Sequence, residues 1–81
     1  MNSDFNDELK ILTILKKWGV LSEKRISDLS KLSHRRCILS LDRLEQDRLV
    51  KLVENKESAK TYRITGSGLD HVDNVEMRER R

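Results

Sequence analysis

Apolar residues recur at helical spacing through the first part of the chain. Over residues 4–18 they form an unusually broad stripe, of which Phe5, Leu9 and Leu12 are members. Acidic side chains stand at the start of this segment and lysines at its end, as the helix dipole favours, and Gly19 follows as a stop signal. The pattern predicts a helix over residues 4–18.

Two more helices are indicated by capping residues followed by apolar spacing. Ser22 and Ser33 are both of a residue type that caps helix N-termini. The predicted helices cover residues 23–30 and 34–47, with a tight turn between them. The inward positions of the longer helix fall on one stripe, formed by Cys37, Leu41 and Leu44.

The apolar period then changes from helical to alternating. Residues 49–53 and 60–65 have the character of strands, and the polar segment 54–59 lies between them. The pattern predicts a two-stranded hairpin over residues 49–65.

A last helix is predicted over residues 68–78, because Leu69, Val72 and Val75 recur at its spacing. The fold class is therefore α+β and mostly helical: a three-helix core, a two-stranded hairpin and a C-terminal helix. Residues 1–81 are expected to form a single domain.

Composition narrows the class of protein. Of the 81 residues, 36% are hydrophobic and 38% are charged, and no apolar run is long enough to cross a membrane. The single cysteine excludes a disulfide framework and favours a reducing compartment. We expect a cytoplasmic protein.

The net charge of +3 is concentrated in the middle of the chain. Residues 31–63 carry +4, whereas residues 1–30 are neutral and residues 64–81 carry −1. A cationic excess confined to one region is typical of a surface that faces phosphates.

The stretch from Ile26 to Val50 resembles the winged helix-turn-helix superfamily, which includes transcription regulators of the MarR, PadR and ArsR types. Leu32-Ser33 matches the turn and cap of that pattern, and Leu49-Val50 matches the start of the wing. The resemblance extends over roughly residues 9–72 and includes the spacing of the apolar residues in helix 34–47 and the segment Tyr62-Arg-Ile-Thr-x-x-Gly68.

The resemblance implies a protein that binds double-stranded DNA, and the residues independently favour this function. With its apolar stripe inward, helix 34–47 turns Arg35, Leu39 and Arg43 outward, and Arg36 lies close by. Arginine pairs with guanine in the major groove, and an aliphatic side chain can contact the thymine methyl group. Candidate DNA-binding residues are Ser33, His34, Arg35, Arg36, Leu39, Ser40, Arg43, Lys56, Lys60 and Arg63.

Three positions depart from the superfamily pattern. Ser27 occupies a slot usually given to alanine, and Lys31 and Arg48 stand where glycine is usual. Because a left-handed conformation costs a non-glycine residue roughly 1 kcal/mol, those two turns are expected to differ in geometry.

The broad apolar stripe of the first helix has two interpretations. It packs entirely on the core of its own domain, or part of it meets a second copy of the chain. The second interpretation predicts a homodimer whose interface includes Phe5, Leu9, Leu12, Leu69, Val72 and Val75. Such a dimer would act as a transcription regulator on a pseudo-palindromic site and be associated with the nucleoid when bound to DNA.

Other chemistry is poorly supported by the sequence. His34, His71 and Cys37 lack metal-ligand spacing, and Cys37 is expected to be a packed core residue rather than a redox sensor. No cofactor, catalytic constellation or effector segment is evident. Two alternatives stay open: a winged-helix adaptor within a larger assembly, and a replication or partition factor of a plasmid or virus.

Overall fold

The computed structural model describes the backbone of residues 3–56 and 59–79, and the side chains of residues 6–54 and 60–78. Within these ranges the chain forms four helices and three strands, so the α+β, mostly helical class is confirmed. The elements are α1 Ser3–Trp18, β1 Val20–Ser22, α2 Glu23–Ser30, α3 His34–Gln46, β2 Val50–Lys56, β3 Ala59–Ile64 and α4 Gly66–Glu79.

The strands form one antiparallel sheet with the order β1-β3-β2. The predicted hairpin is β2 and β3, whose register pairs Leu52 with Tyr62 and is interrupted by a bulge before Glu54. The third strand, β1, pairs with β3 and places Leu21 opposite Tyr62. The pairing ties the start of α2 to the sheet.

The core lies where α1, α2 and α3 meet the inner face of the sheet. Its buried apolar residues are Ile11, Leu12, Leu15, Ile26, Leu32, Cys37, Leu41, Leu44, Val50, Tyr62 and Val72. Trp18 belongs to the predicted apolar stripe of the first helix, yet 53% of its surface stays exposed. The inward part of that stripe therefore ends before Trp18.

Both predicted N-caps are present. The Ser22 hydroxyl oxygen accepts a hydrogen bond from the Arg25 amide, and the Ser33 hydroxyl oxygen accepts one from the Arg36 amide, each at 3.2 Å. These contacts satisfy amide groups that the first turn of a helix leaves without partners. They define where α2 and α3 begin.

The two turns without glycine adopt the left-handed conformation, contrary to the expectation that their geometry would differ. Lys31 has a φ of 62° and Arg48 a φ of 61°. At Lys31 the amide donates to the carbonyl oxygen of Ser27 at 2.9 Å, which closes the end of α2. The fold holds these residues in a conformation that their side chains disfavour.

Helix α4 begins at Gly66, two residues before the predicted start at residue 68. Thr65 caps it: the hydroxyl oxygen accepts a hydrogen bond from the Gly68 amide at 3.0 Å, and the Leu69 amide donates to the Thr65 carbonyl oxygen. Gly66 and Gly68 thus lie in the first turn of α4, after β3 has ended at Ile64.

Candidate nucleic-acid interface

Helix α3 is buried on one face and exposed to solvent on the other. Cys37, Leu41 and Leu44 are fully buried against the body of the domain. The opposite face presents Arg35 and Leu39 to solvent, and 55% of Leu39 is exposed. An exposed leucine beside an arginine matches the two kinds of contact that a base edge offers.

Ser40 does not lie on that outward face, although it was a candidate DNA-binding residue. Only 5% of its surface is exposed. The spacing explains this position, because Ser40 follows Cys37 by three residues and precedes Leu44 by four. It belongs to the buried stripe, and the same spacing could have revealed this from the sequence.

Arg36 is held by a carboxylate from another helix. Its Nε and one terminal nitrogen donate to the two carboxylate oxygens of Asp7 on α1, at 3.0 and 2.8 Å. The Asp7 side chain is only 8% exposed, whereas that of Arg36 is 53% exposed. Arg36 is thus the partner of a buried charge as well as a surface cation.

Asp7 was not singled out from the sequence. It lies 29 residues from Arg36 along the chain, so no local motif joins them. One signal was available, since Asp7 precedes the buried Ile11 by four residues and therefore shares its inward stripe. A carboxylate on a buried stripe requires a partner.

Two more acidic residues flank α3. Glu8 lies 3.9 Å from Arg43, and Glu23 lies 4.0 Å from the Nε2 atom of His34. A cavity of about 160 Å³ opens between α1 and α3 and is lined by Asp7, Arg36, Leu39, Ser40 and Arg43. The face of α3 that turns toward α1 is therefore a mixed-charge surface.

The hairpin carries exposed cations. Lys60 and Arg63 on β3 are both exposed, and the register places Lys51 on β2 directly opposite Arg63. Like charges in directly opposed positions repel each other, so an anion nearby would stabilise them. The side chain of Lys56, the candidate at the hairpin tip, lies outside the described residues.

Not all of the candidate dimer residues lie at the surface. Leu12 and Val72 are fully buried in the core of their own subunit, which removes them from the predicted interface. Leu9 and Val75 are half-buried and Leu69 is 37% exposed. The side chain of Phe5 lies outside the described residues.

Cys37 is a packed core residue. Burial, together with the nearby Glu23 charge, raises the pKa of its thiol from 9.0 to about 11. The group therefore stays a thiol at neutral pH and is a poor nucleophile. Elsewhere in the described part of the chain, no three His, Cys, Asp or Glu side chains are grouped to hold a metal ion, and no helix is long and apolar enough to span a membrane.

Solved structures with the same arrangement of elements reveal the fold. RosR from H. salinarum superposes with a TM-score of 0.78 at 26% sequence identity, over 89% of this chain and 71% of that one. The fold is a winged helix-turn-helix. In the vocabulary of this fold, α2 and α3 form the helix-turn-helix, α3 holds the position of the recognition helix, and β2 and β3 form the wing.

More distant winged helix-turn-helix structures agree with this assignment. BpsR from Bordetella bronchiseptica, whose DNA binding is regulated by 6-hydroxynicotinic acid, gives a TM-score of 0.80 at 16% identity, over 91% of this chain and 54% of that one. A MarR mutant from E. coli, complexed with operator DNA, gives 0.76 at 14% identity, over 83% of this chain and 49% of that one.

The chain spans about half the length of MarR and BpsR. At the level of sequence, neither a protein-family model nor a curated protein matches it.

Proposed function

We propose that the chain binds double-stranded DNA as a homodimeric transcription regulator. Recognition helix α3 would enter the major groove, and the wing would contact the sugar-phosphate backbone. The fold is one that MarR uses with operator DNA, which supports this function at the level of architecture.

The observation that carries the proposal is that Arg35 is exposed and has no ion-pair partner among the described residues. It lies on the first turn of α3. Leu39 stands one turn further along the same face and is 55% exposed. An unpaired arginine and an exposed aliphatic side chain near the N-terminus of a recognition helix are suited to a guanine and a thymine methyl group.

The wing supplies cations that would position the protein without reading sequence. Lys60 and Arg63 are exposed on β3, and phosphate contacts of this kind fix the register of a protein on a duplex. Ser33 and His34 at the start of α3 are further phosphate candidates, since helix N-termini bind anions.

Dimerisation is the second part of the proposal. One small domain buries little DNA surface, so its affinity as a monomer is limited. A twofold dimer would bind two half-sites about one helical turn apart. Of the residues predicted to form such an interface, Leu9, Leu69 and Val75 keep part of their surface exposed and would contribute to it. Sedimentation equilibrium at about 10–50 μM measures the mass, and a monomer across this range would refute the dimer.

DNA binding is tested by fluorescence anisotropy with a random-sequence duplex at about 50 and about 200 mM salt. Because phosphate contacts release counterions, the affinity should fall steeply between these concentrations. Binding that is absent or insensitive to salt would instead favour the adaptor alternative.

Three substitutions test whether Arg35 reads bases while Lys60 contacts phosphates. After an operator has been selected in vitro, Arg35→Ala should cost about 1–3 kcal/mol of binding free energy and relax the preference at one base position. Lys60→Ala should weaken all sequences alike and lower the salt slope by about one unit. Arg78→Ala on α4, outside the helix-turn-helix, is the matched control and should change neither quantity. Identical behaviour of the Arg35 and Lys60 variants would contradict the proposed roles.

A further inference from the structure

We infer that Asp7 is a specificity-determining residue, because it holds Arg36 of the recognition helix away from DNA phosphates. The inference rests on the proposed DNA binding and adds an element to it: an intramolecular carboxylate that limits how many cations of α3 act on DNA.

The geometry of the pair makes Arg36 difficult to release. Both carboxylate oxygens of Asp7 accept hydrogen bonds from the Arg36 guanidinium, at 2.8 and 3.0 Å, in the fork arrangement that makes such pairs strong. The Asp7 side chain is only 8% exposed. If Arg36 swung toward a phosphate, it would leave a buried carboxylate without its counter-charge, which is strongly unfavourable.

Adjacent arginines therefore have different roles. Arg35 has no ion-pair partner among the described residues and faces solvent, whereas Arg36, about 100° further around the helix, faces α1 and is paired. Arg43 lies on the same flank and is 3.9 Å from Glu8, so this end of α1 provides carboxylates to both arginines of that flank.

This arrangement bears on specificity because non-specific binding depends on the number of cations that reach phosphates. Each phosphate contact adds about 0.9 to the slope of log affinity against log salt. What matters for a regulator is the ratio of specific to non-specific affinity. If Arg36 contacts no phosphate, the affinity of the protein for non-specific DNA is lower. The bases are then read by Arg35 and Leu39.

The first experiment measures the anisotropy of a random-sequence duplex with Asp7→Asn. The asparagine keeps the side-chain shape and removes the charge that holds Arg36. We expect a slope steeper by about 0.9, which enlarges the affinity lost between about 50 and 200 mM salt by a further ~3.5-fold. Asp70→Asn makes the same change in net charge at an exposed site on α4 and should leave the slope unchanged.

The second experiment neutralises both partners. Asp7→Asn combined with Arg36→Gln leaves no buried charge unpaired, so the variant should fold even if the single substitution destabilises the protein. We expect the wild-type slope, because Arg36 contributes no phosphate contact in the wild type. Thermal melts by circular dichroism establish that each variant is folded at the temperature of the binding assay.

Two results would overturn the inference: a folded Asp7→Asn variant with the wild-type slope, or a double variant whose slope is shallower than wild type by about 0.9. The second result would mean that Arg36 contacts phosphate despite its partner. Neither result affects the proposed DNA binding, which fails if the wild-type chain shows no salt-dependent binding.

Discussion

The hydroxyl of Thr65 donates a hydrogen bond of 2.7 Å to the carbonyl oxygen of Arg48. The same hydroxyl oxygen accepts a hydrogen bond from the Gly68 amide, and the Thr65 amide donates to the carbonyl oxygen of Leu49. One threonine thus joins the turn that follows the recognition helix, the end of the wing and the start of α4. The orientation of the wing relative to α3 depends on this junction.

Gly68 is the position at this junction that tolerates no side chain. A Cβ there would overlap the carbonyl oxygen of Leu49 and lie 2.6 Å from Cγ1 of Ile64. Because the backbone of Leu49 cannot move without disturbing the junction, Gly68→Ala should lower the free energy of unfolding by about 1–3 kcal/mol, as measured by urea titration. Gly66→Ala is the control, since nothing lies within 4 Å of its Cβ position. It should be neutral or stabilising by up to about 1 kcal/mol, and equal losses at both sites would contradict the packing argument.

Lys31 stores backbone strain that glycine would relieve. Its φ of 62° is unfavourable for a residue with a Cβ, and its amide still closes α2 through Ser27. Lys31→Gly should raise the free energy of unfolding by about 0.5–1 kcal/mol. The same change at Lys10, an exposed site inside α1, should instead lower it by about 0.5–1 kcal/mol. Chemical denaturation of both variants checks the opposite signs.

Leu39 and Leu41 lie two residues apart on the recognition helix but face opposite environments. Leu39 is 55% exposed and Leu41 is fully buried. Leu39→Ala should therefore change the unfolding free energy by less than about 0.5 kcal/mol, while altering the base preference found by in-vitro selection. Leu41→Ala should cost about 2–5 kcal/mol of stability. A large stability loss from the Leu39 substitution would show that α3 packs with its other face inward.

Alkaline pH should destabilise the fold through Cys37. Burial raises the pKa of this thiol from 9.0 to about 11, so the unfolded chain ionises first as the pH rises. The stability linked to Cys37 is complete below pH 9 and is lost progressively as the pH rises toward 11. Between about pH 8 and pH 10 we expect a loss of about 1–1.5 kcal/mol, measured by urea titration at each pH.

Cys37→Ala is the control for the alkaline transition. The variant should be less stable at every pH because it leaves a small cavity, but the part of the pH dependence due to the thiol should disappear. The buried Tyr62, whose pKa is raised to about 12, contributes mainly above pH 10 in both proteins. An unchanged pH dependence between about pH 8 and pH 10 would assign the loss to another group.

Local patterns were sufficient to predict most of the secondary structure. The caps at Ser22 and Ser33 and the period of Cys37, Leu41 and Leu44 act within one or two turns of helix, so their consequences are visible in the sequence. The predicted bounds 23–30 coincide with α2, whereas the predicted two-stranded hairpin is part of a three-stranded sheet that includes β1. The pairing of β1 with β3 joins residues about forty positions apart, and no local signal encodes such a contact.

The charge of the interface was harder to foresee. Counted along the chain, residues 31–63 carry the whole positive excess, and Arg35 and Arg36 are equivalent cations. In the folded chain Asp7 and Glu8, from a segment with no net charge, lie against α3 and pair with Arg36 and Arg43. The sequence also left the apolar stripe of α1 open between core and dimer interface, and packing placed Leu12 in the core.

The amino-acid sequence alone determined the helix-turn-helix, the wing and the outward face of the recognition helix, because capping and apolar periodicity are short-range effects. Only the tertiary structure decided which arginines of that face are available to a ligand. The reason is that an ion pair between Asp7 and Arg36 needs two helices to pack, and packing is a property of the whole core rather than of either segment.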